Sequence, residues 1–356
     1  MEYTWNRPPF FLFGMGDREK YYYRSGGLYA YPSGKCAVSF DVAEEEIIPD
    51  RYTVKLVLSD GERVTLCEDS RRFAMYRGED VTVFCESELS LPDFEEYDEA
   101  ALLRVLHHEI LINIYDGRPL PNFFVYRTPW HRDSAMMTMV LEKTGNLRLV
   151  RDWVLGIDRI FDGNNKGNEE PDNMGQLLFM ISRVSGRDHP MVKKIAAEVK
   201  RRYVGGVLQG TVDYGNHPVY AAKWLKFGLD SLGLDSGWVE IPAVPDDYSQ
   251  LFWMDSRDSH VEVPHREYDG FYPYLWWAEQ HFFGNDVKVG GRLSYPLTNE
   301  TRASEADYEG IRCLYPEYAD EKNASPHTWH AAEMFLYFTD KQKAAVSRCA
   351  IRRLFP

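Results

Sequence analysis

The stretch Tyr126-Arg127-Thr128-Pro129-Trp130-His131-Arg132-Asp133-Ser134-Ala135-Met136-Met137 leads from an aromatic loop into an apolar helix, with an Arg-Asp pair at the helix mouth. The arrangement suits a site that grips a neutral polyol. Trp130 offers a flat apolar face for a ring, Arg132 donates to hydroxyls, and Asp133 accepts from them. A carboxylate in the first helical turn is also favoured by the helix dipole, so a buried Arg-Asp pair that only fixes the helix start explains the same residues.

Working outward, helical periodicity begins near Tyr97-Asp98-Glu99 and persists to the end of the chain. The expected helices cover Leu102 to Ile114, Ser134 to Leu141, Leu147 to Ile160, Met174 to Val184, Met191 to Tyr203 and Val219 to Leu232. Ser249 to Met254, Phe271 to Phe283 and Thr328 to Phe338 follow. Some carry a charged face and others are apolar nearly all round. Such alternation predicts inner helices ringed by outer ones. Polar residues precede the apolar helices at Trp130–Asp133, Glu169–Asn173, Asp213–His217, Arg266–Asp269 and Ser325–His330. If the inner helices run parallel, these loops meet in one acidic, aromatic-lined cleft.

Ahead of the helices, residues 20–91 read as strands and turns. Tyr52–Leu58 and Arg63–Cys67 flank Ser59-Asp60-Gly61-Glu62 as a hairpin, and Val81–Cys85 is a further strand. The expected division is a β-rich region over 1–95 and a helical domain over 96–356.

The chain has 356 residues, a formal net charge of −14, 44% hydrophobic and 14% aromatic residues. The acidic balance argues against nucleic acid and anionic membrane as partners. Nine Trp and 23 Tyr exceed what a core requires, so part of them is expected in a cleft. The five cysteines (Cys36, Cys67, Cys85, Cys313 and Cys349) are odd in number and never paired as CxxC, which reads as reduced thiols of a cytoplasmic protein. Neither a secretory signal nor an apolar run of membrane-spanning length is visible.

Trp130-His131-Arg132-Asp133 resembles the Trp-x-Arg-Asp motif of the six-hairpin glycosidase superfamily, the α/α toroid of glucoamylases and related enzymes. Ser325-Pro326-His327-Thr328-Trp329-His330-Ala331-Ala332 resembles the late Thr-Trp-x-x-Ala inner helix of that superfamily. The resemblance covers the chain from about Tyr97 onward. It implies a mainly α fold, an (α/α)6-type toroid behind a small β region; the short stretch between Gly284 and Pro326 holds fewer than two full helical hairpins, so the toroid is expected to be either incomplete or closed by irregular segments. It also implies that Arg132 and Asp133 bind sugar hydroxyls, and that Glu317, in Tyr315-Pro316-Glu317-Tyr318, is a general base. No family-like tryptophan-glutamate loop supplies the general acid.

Glycoside hydrolysis needs two carboxyls flanking the bond, one with a raised pKa, separated by about 6.5–9.5 Å in inverting enzymes. Asp213, at the opening of the helix from Val219, is the best guess for the acid. Asp247 and Asp269, with Glu170 and Asp172 further back, are further candidates; Asp269 also belongs to the expected substrate-binding set, and a helix cap or turn explains Asp247 and Asp269 as well. Asp172 and Asn173 either bind a hydroxyl or, with Pro171, simply start a helix. Trp329 and His330 complete the expected substrate-binding set. His327, His330 and Glu333 share a helical face at metal-ligand spacing, but no second ligand cluster accompanies them, so neither metal nor cofactor is expected. His107-His108-Glu109 lacks the HExxH pattern and is expected on an outer helix. The function expected is an inverting glycoside hydrolase on a small oligosaccharide; the alternative is a non-catalytic carbohydrate-binding protein.

Overall fold

The computed structural model describes residues 4–244, 248, 292–302 and 305–340. The expected helices from Ser249 and Phe271, together with Asp247, Asp269 and Cys349, lie outside the described residues.

The β-rich start is present and is larger than a simple hairpin. After a two-residue strand β1 (Thr4–Trp5), strands β2 (Phe11–Phe13), β3 (Tyr21–Arg24), β4 (Gly27–Ala30) and β5 (Lys35–Ser39) form an antiparallel sheet in sequence order. Strands β6 (Val42–Ile48), β7 (Thr53–Leu58), β8 (Arg63–Glu68), β9 (Arg72–Arg77) and β10 (Asp80–Glu86) form a second antiparallel meander. The hairpin around Asp60-Gly61 pairs Val57 with Arg63, and Gly61 takes the positive φ of 85° that the turn requires. Along β7, Val54, Leu56 and Leu58 face a core that contains Phe11, Phe13 and Phe73, while Lys55 faces out.

A buried ion pair ties the two sheets. Glu68, at the end of β8, accepts from the Gly14 and Met15 amides at 2.8 and 2.7 Å and from Arg18 Nη1 at 2.9 Å. Both side chains are wholly inaccessible. Arg18 also donates to the Asp69 carbonyl, and Lys20 donates to the Gly14 and Gly16 carbonyls. Gly14 is obligatory in this loop, because a Cβ there would lie 2.0 Å from the Glu19 carbonyl oxygen.

The helical part comprises α1 (Ala100–Ile112), α2 (His131–Lys143), α3 (Arg148–Leu155), a single left-handed turn α4 (Asn164–Gly167), α5 (Asp172–Val184), α6 (Pro190–Arg202) and α7 (Pro218–Ser231). After the gap come a short helix α8 (Pro316–Glu321) and a helix α9 over 328–340. Among the described residues no helix is long and apolar enough to cross a membrane, and the cysteines are free.

The mainly α toroid is not the fold found. The described residues form a mixed α and β structure, with no ring of helical hairpins. The alternation of apolar and amphipathic helices has a different cause. The apolar helices α5 and α7 pack directly on each other: a Cβ on Gly175 would meet the Trp224 backbone at 2.2 Å, and one on Gly228 would meet the Gly175 carbonyl oxygen at 2.4 Å. Burial against a close neighbour, rather than a place in an inner ring, accounts for apolar stretches such as Leu177–Ile181 of α5. Nor is α1 an outer helix: His107, His108 and Glu109 are fully buried, with His108 Nε2 on the Leu12 carbonyl at 2.9 Å and its ring stacked on Phe11. This helix is the seam between the sheets and the other helices.

Glu68→Ala should leave Arg18 charged in a dry interior and remove the acceptor of two loop amides. Breaking such a buried pair costs about 3–5 kcal/mol, so the urea midpoint should fall sharply at unchanged m-value.

Candidate functional site

The loop before α2, the segment 298–300 and the start of α9 meet in one place. Pro121, Tyr126, Trp130, Arg132, Asp133, Asp213, Glu300, His327 and Trp329 line a polar cavity of about 30 Å³. That is room for a water or two rather than for a sugar ring, so any larger ligand must sit across its mouth. Of the residues expected at the site, Trp130, Arg132, Asp133, Asp213 and Trp329 are therefore brought together.

Helix α2 starts without a side-chain cap of its own; instead Asp162 Oδ2 accepts the His131 amide at 2.8 Å. Arg132 then turns into the helical core. Its Nε and Nη2 donate to Asp172 Oδ2 at 3.2 and 3.1 Å, and Nη2 reaches Glu170 Oε2 at 3.5 Å. Rings of Tyr248, Trp329 and Tyr220 surround the guanidinium at 5.5, 5.7 and 5.9 Å. Arg132 thus pairs across to the start of α5 rather than with its neighbour Asp133. Asp172 is buried and is held further by Gln176 Nε2 at 2.7 Å. Asn173, also buried, donates to Gln176 and accepts the Asp162 amide. Both support the cleft from behind rather than line it. Glu170, whose carboxyl burial raises to about 7 against the charge of Arg132, accepts from Asn165 and from the Asp213 amide. Asp213 itself stands on a tight turn with φ of 46° and is exposed; its Oδ2 accepts from the Tyr248 hydroxyl at 3.0 Å.

Asp133 faces a different set. Its Oδ1 lies 3.8 Å from His327 Nε2 and 3.4 Å from the Thr328 hydroxyl. The same His327 Nε2 lies 2.8 Å from Glu300 Oε2, which also accepts from the Tyr126 hydroxyl at 2.8 Å. One imidazole therefore stands between two carboxylates. Burial pushes Asp133 up to about 6; His327 opposes this and the charge of Glu300 adds to it. Burial would also raise Glu300, but the charge and hydrogen bond of His327, with His330 and Tyr126, bring it down to about 2. Burial works against a charge on His327, yet Glu300 and Asp133 leave its pKa above the ordinary value.

Glu300 was not singled out from the sequence, whereas Tyr126 and His327 were read only as parts of the loops Tyr126–Asp133 and Ser325–His330 and given no role of their own in the expected site. Glu300 lies in a two-residue strand, and its register opposite Ala324 brings it beside His327. His330 is turned the other way, with Nδ1 at 2.5 Å from the Asn299 carbonyl. Glu317 is not in the cleft. Its exposed side chain lies on α8, whose Tyr318 packs against Phe10 of the β core. Among the described residues no group of three or more His, Cys, Asp or Glu is placed to hold a metal ion.

No protein-family model, curated protein or solved structure matches this chain. The likeness to the six-hairpin glycosidases thus stops at two short motifs, and the fold corrects it.

The shifts fix a pH dependence. Between the ordinary carboxyl value of 3.8 and about 6, the native state keeps a proton on Asp133 that the unfolded chain has lost. Stability contributed by this group is present below that window and lost as pH rises through it. Glu300 has the opposite sign: its contribution is present above 4.5 and lost as pH falls toward about 2. Asp133→Asn should remove the first component, at most about 1.4 kcal/mol per pH unit, when urea unfolding is followed from pH 4 to pH 7. An unchanged slope in the variant would place Asp133 outside this titration.

Proposed function

We propose that the cleft binds a glycoside and hydrolyses it with a carboxyl pair. The observation that carries the reading is the placing of two carboxyls of one aromatic cavity at unequal distances from one imidazole, with His327 Nε2 at 2.8 Å from Glu300 and 3.8 Å from Asp133. Asp133 holds its proton to about 6, while Glu300 is ionised down to about 2. Environments that push carboxyls apart in this way create an acid and a base from the same functional group.

In this reading Asp133 protonates the leaving oxygen. Glu300 is a weak base because it is bound by His327 and Tyr126, and it serves to balance charge at the reacting carbon. Asp213 faces solvent on the same cleft and accepts from Tyr248, so it takes the role of the base that orients a water. Trp130 and Trp329 give flat faces to the sugar ring at the mouth. This assignment exchanges the role of Asp213 from acid to base and moves the pair away from Glu317.

A non-catalytic carbohydrate-binding site is the second reading, favoured by one observation. Arg132 is already paired with Asp172 and Glu170, and Glu300 with His327, so these charges are spent within the protein.

Turnover of a panel of 4-nitrophenyl glycosides and short oligosaccharides tests the proposal. Asp133→Asn should lower the rate on a cleaved substrate by about 10²–10⁴-fold. The loss should be smaller for a dinitrophenyl leaving group, which departs without a proton. Retention of full activity in Asp133→Asn would exclude it as the acid. Saturable sugar binding without cleavage by the unmodified protein would establish the second reading, and neither binding nor cleavage would end both.

A further inference from the structure

Away from this cleft, α5, α6 and α7 enclose a second cavity of about 360 Å³. Its origin lies in the glycine contacts. Gly175 and Gly228 draw α5 and α7 to backbone contact, and α6 lies along the outside of that pair with Val192, Ile195 and Val199 facing in. Leu178 and Leu225 form the opposite wall. The far end is closed by the loop that carries Trp238. Tyr203 fixes this loop, donating to the Trp238 carbonyl at 3.3 Å and accepting the Glu240 amide at 2.9 Å. The Trp238 ring packs edge-on to Tyr203 and is still 43% exposed. A large indole held half in water at the mouth of an apolar cavity is suited to cover a bound chain.

Among the described residues the wall is apolar apart from Tyr203 and Lys200, the latter being the one charged residue of that lining. Lys200 lies in the last turn of α6 beside Arg201 and Arg202. Those two arginines are taken by Glu198 and Glu169, whereas no carboxylate among the described residues pairs with Lys200. A protein of net charge −14 repels anions at long range, so an exposed lysine at the rim of this wall, with no carboxylate partner among the described residues, supplies a local contact for an anionic head on an apolar body.

We propose that this cavity binds a free medium-chain fatty carboxylate, its alkyl chain between α6 and the α5–α7 pair and its carboxylate at Lys200. The volume lies at the lower end of the range for small-molecule pockets, about 300–1,000 Å³, which fits a single short alkyl chain rather than a two-chain lipid.

Laurate titrated into the full chain tests this, with dodecanol and phosphatidylglycerol vesicles as comparisons. Saturable laurate binding is expected. Lys200→Met should weaken laurate about fivefold, as for loss of an exposed ion pair, and leave dodecanol unchanged. Val199→Trp fills the cavity and should abolish binding of both, with circular dichroism confirming its fold. A brominated laurate should quench tryptophan emission in the unmodified protein and less in Trp238→Phe, a readout that does not depend on the cavity-filling variant folding. Absence of saturable binding would overturn the proposal, as would equal binding by a folded Val199→Trp variant. Binding to the vesicles with none to free laurate would also overturn it and assign the face to a membrane surface.

Discussion

The burial of a guanidinium at Arg132 is the constraint from which the helical half of the molecule is organised. An ion of that size taken out of water costs several kcal/mol unless it is paired and hydrogen-bonded. Asp172 and Glu170 meet the requirement from the start of α5, and the rings of Tyr220, Tyr248 and Trp329 fill the faces that carboxylates do not reach. Each partner brings its own element with it: α5 through Asp172, α7 through Tyr220, and α9 through Trp329. Glu170 then accepts the Asp213 amide and so sets the loop that carries Asp213 to the cleft. The cleft is thus the outer rim of a neutralised charge. Its walls are as well fixed as the ion pair beneath them.

A second buried carboxyl holds the other wall. Glu109 of α1 accepts the Leu297 amide and the Thr298 hydroxyl, each at 2.5 Å, and burial raises its pKa to about 8. Thr298 Oγ1 in turn accepts the His327 amide at 3.3 Å, and Ser325 donates to the Thr298 carbonyl at 2.9 Å. The segment 297–300 and the approach to α9 are therefore clamped together on α1. That clamp brings Glu300 within reach of His327. Because α1 also receives the sheets through His108 and Tyr52, the β-rich region contributes to the site indirectly, by fixing the helix that positions Glu300.

How much of this was legible in the sequence follows from the range of the interactions. The hairpin at Asp60-Gly61 was readable because turn chemistry and alternation act over a few residues. Helices such as α5 and α6 were readable within a residue or two for the same reason. The meeting of Trp130, Arg132, Asp133, Asp213 and Trp329 was anticipated from polar residues recurring at helix mouths, although the described residues show no ring of helices behind it. The toroid was misread because helix apolarity reports burial but not the identity of the neighbour. Gly175 and Gly228, which specify a close pair, look in sequence like ordinary helix weaknesses. Glu300 could not be found locally: it is placed by pairing with Ala324 and by a clamp from Glu109. Glu317 carried a motif-like context, yet Tyr315 and Tyr318 beside it pack on Phe10 and hold its helix at the β core.

The three groups Asp133, His327 and Glu300 are best treated as one titrating unit. The cationic form of His327 lowers Glu300, and the Glu300 carboxylate in turn raises His327 above its ordinary value against the effect of burial. Asp133, at the longer 3.8 Å from the same nitrogen, receives less of that cation and also feels the Glu300 charge. An internal ion pair of near-zero net charge thus leaves the third group to be governed mainly by burial. Were His327 aimed equally at both carboxylates, it would lower both and neither would hold a proton. Burial thus dominates the rise at Asp133, while the closer contact, 2.8 against 3.8 Å, gives Glu300 the larger share of His327.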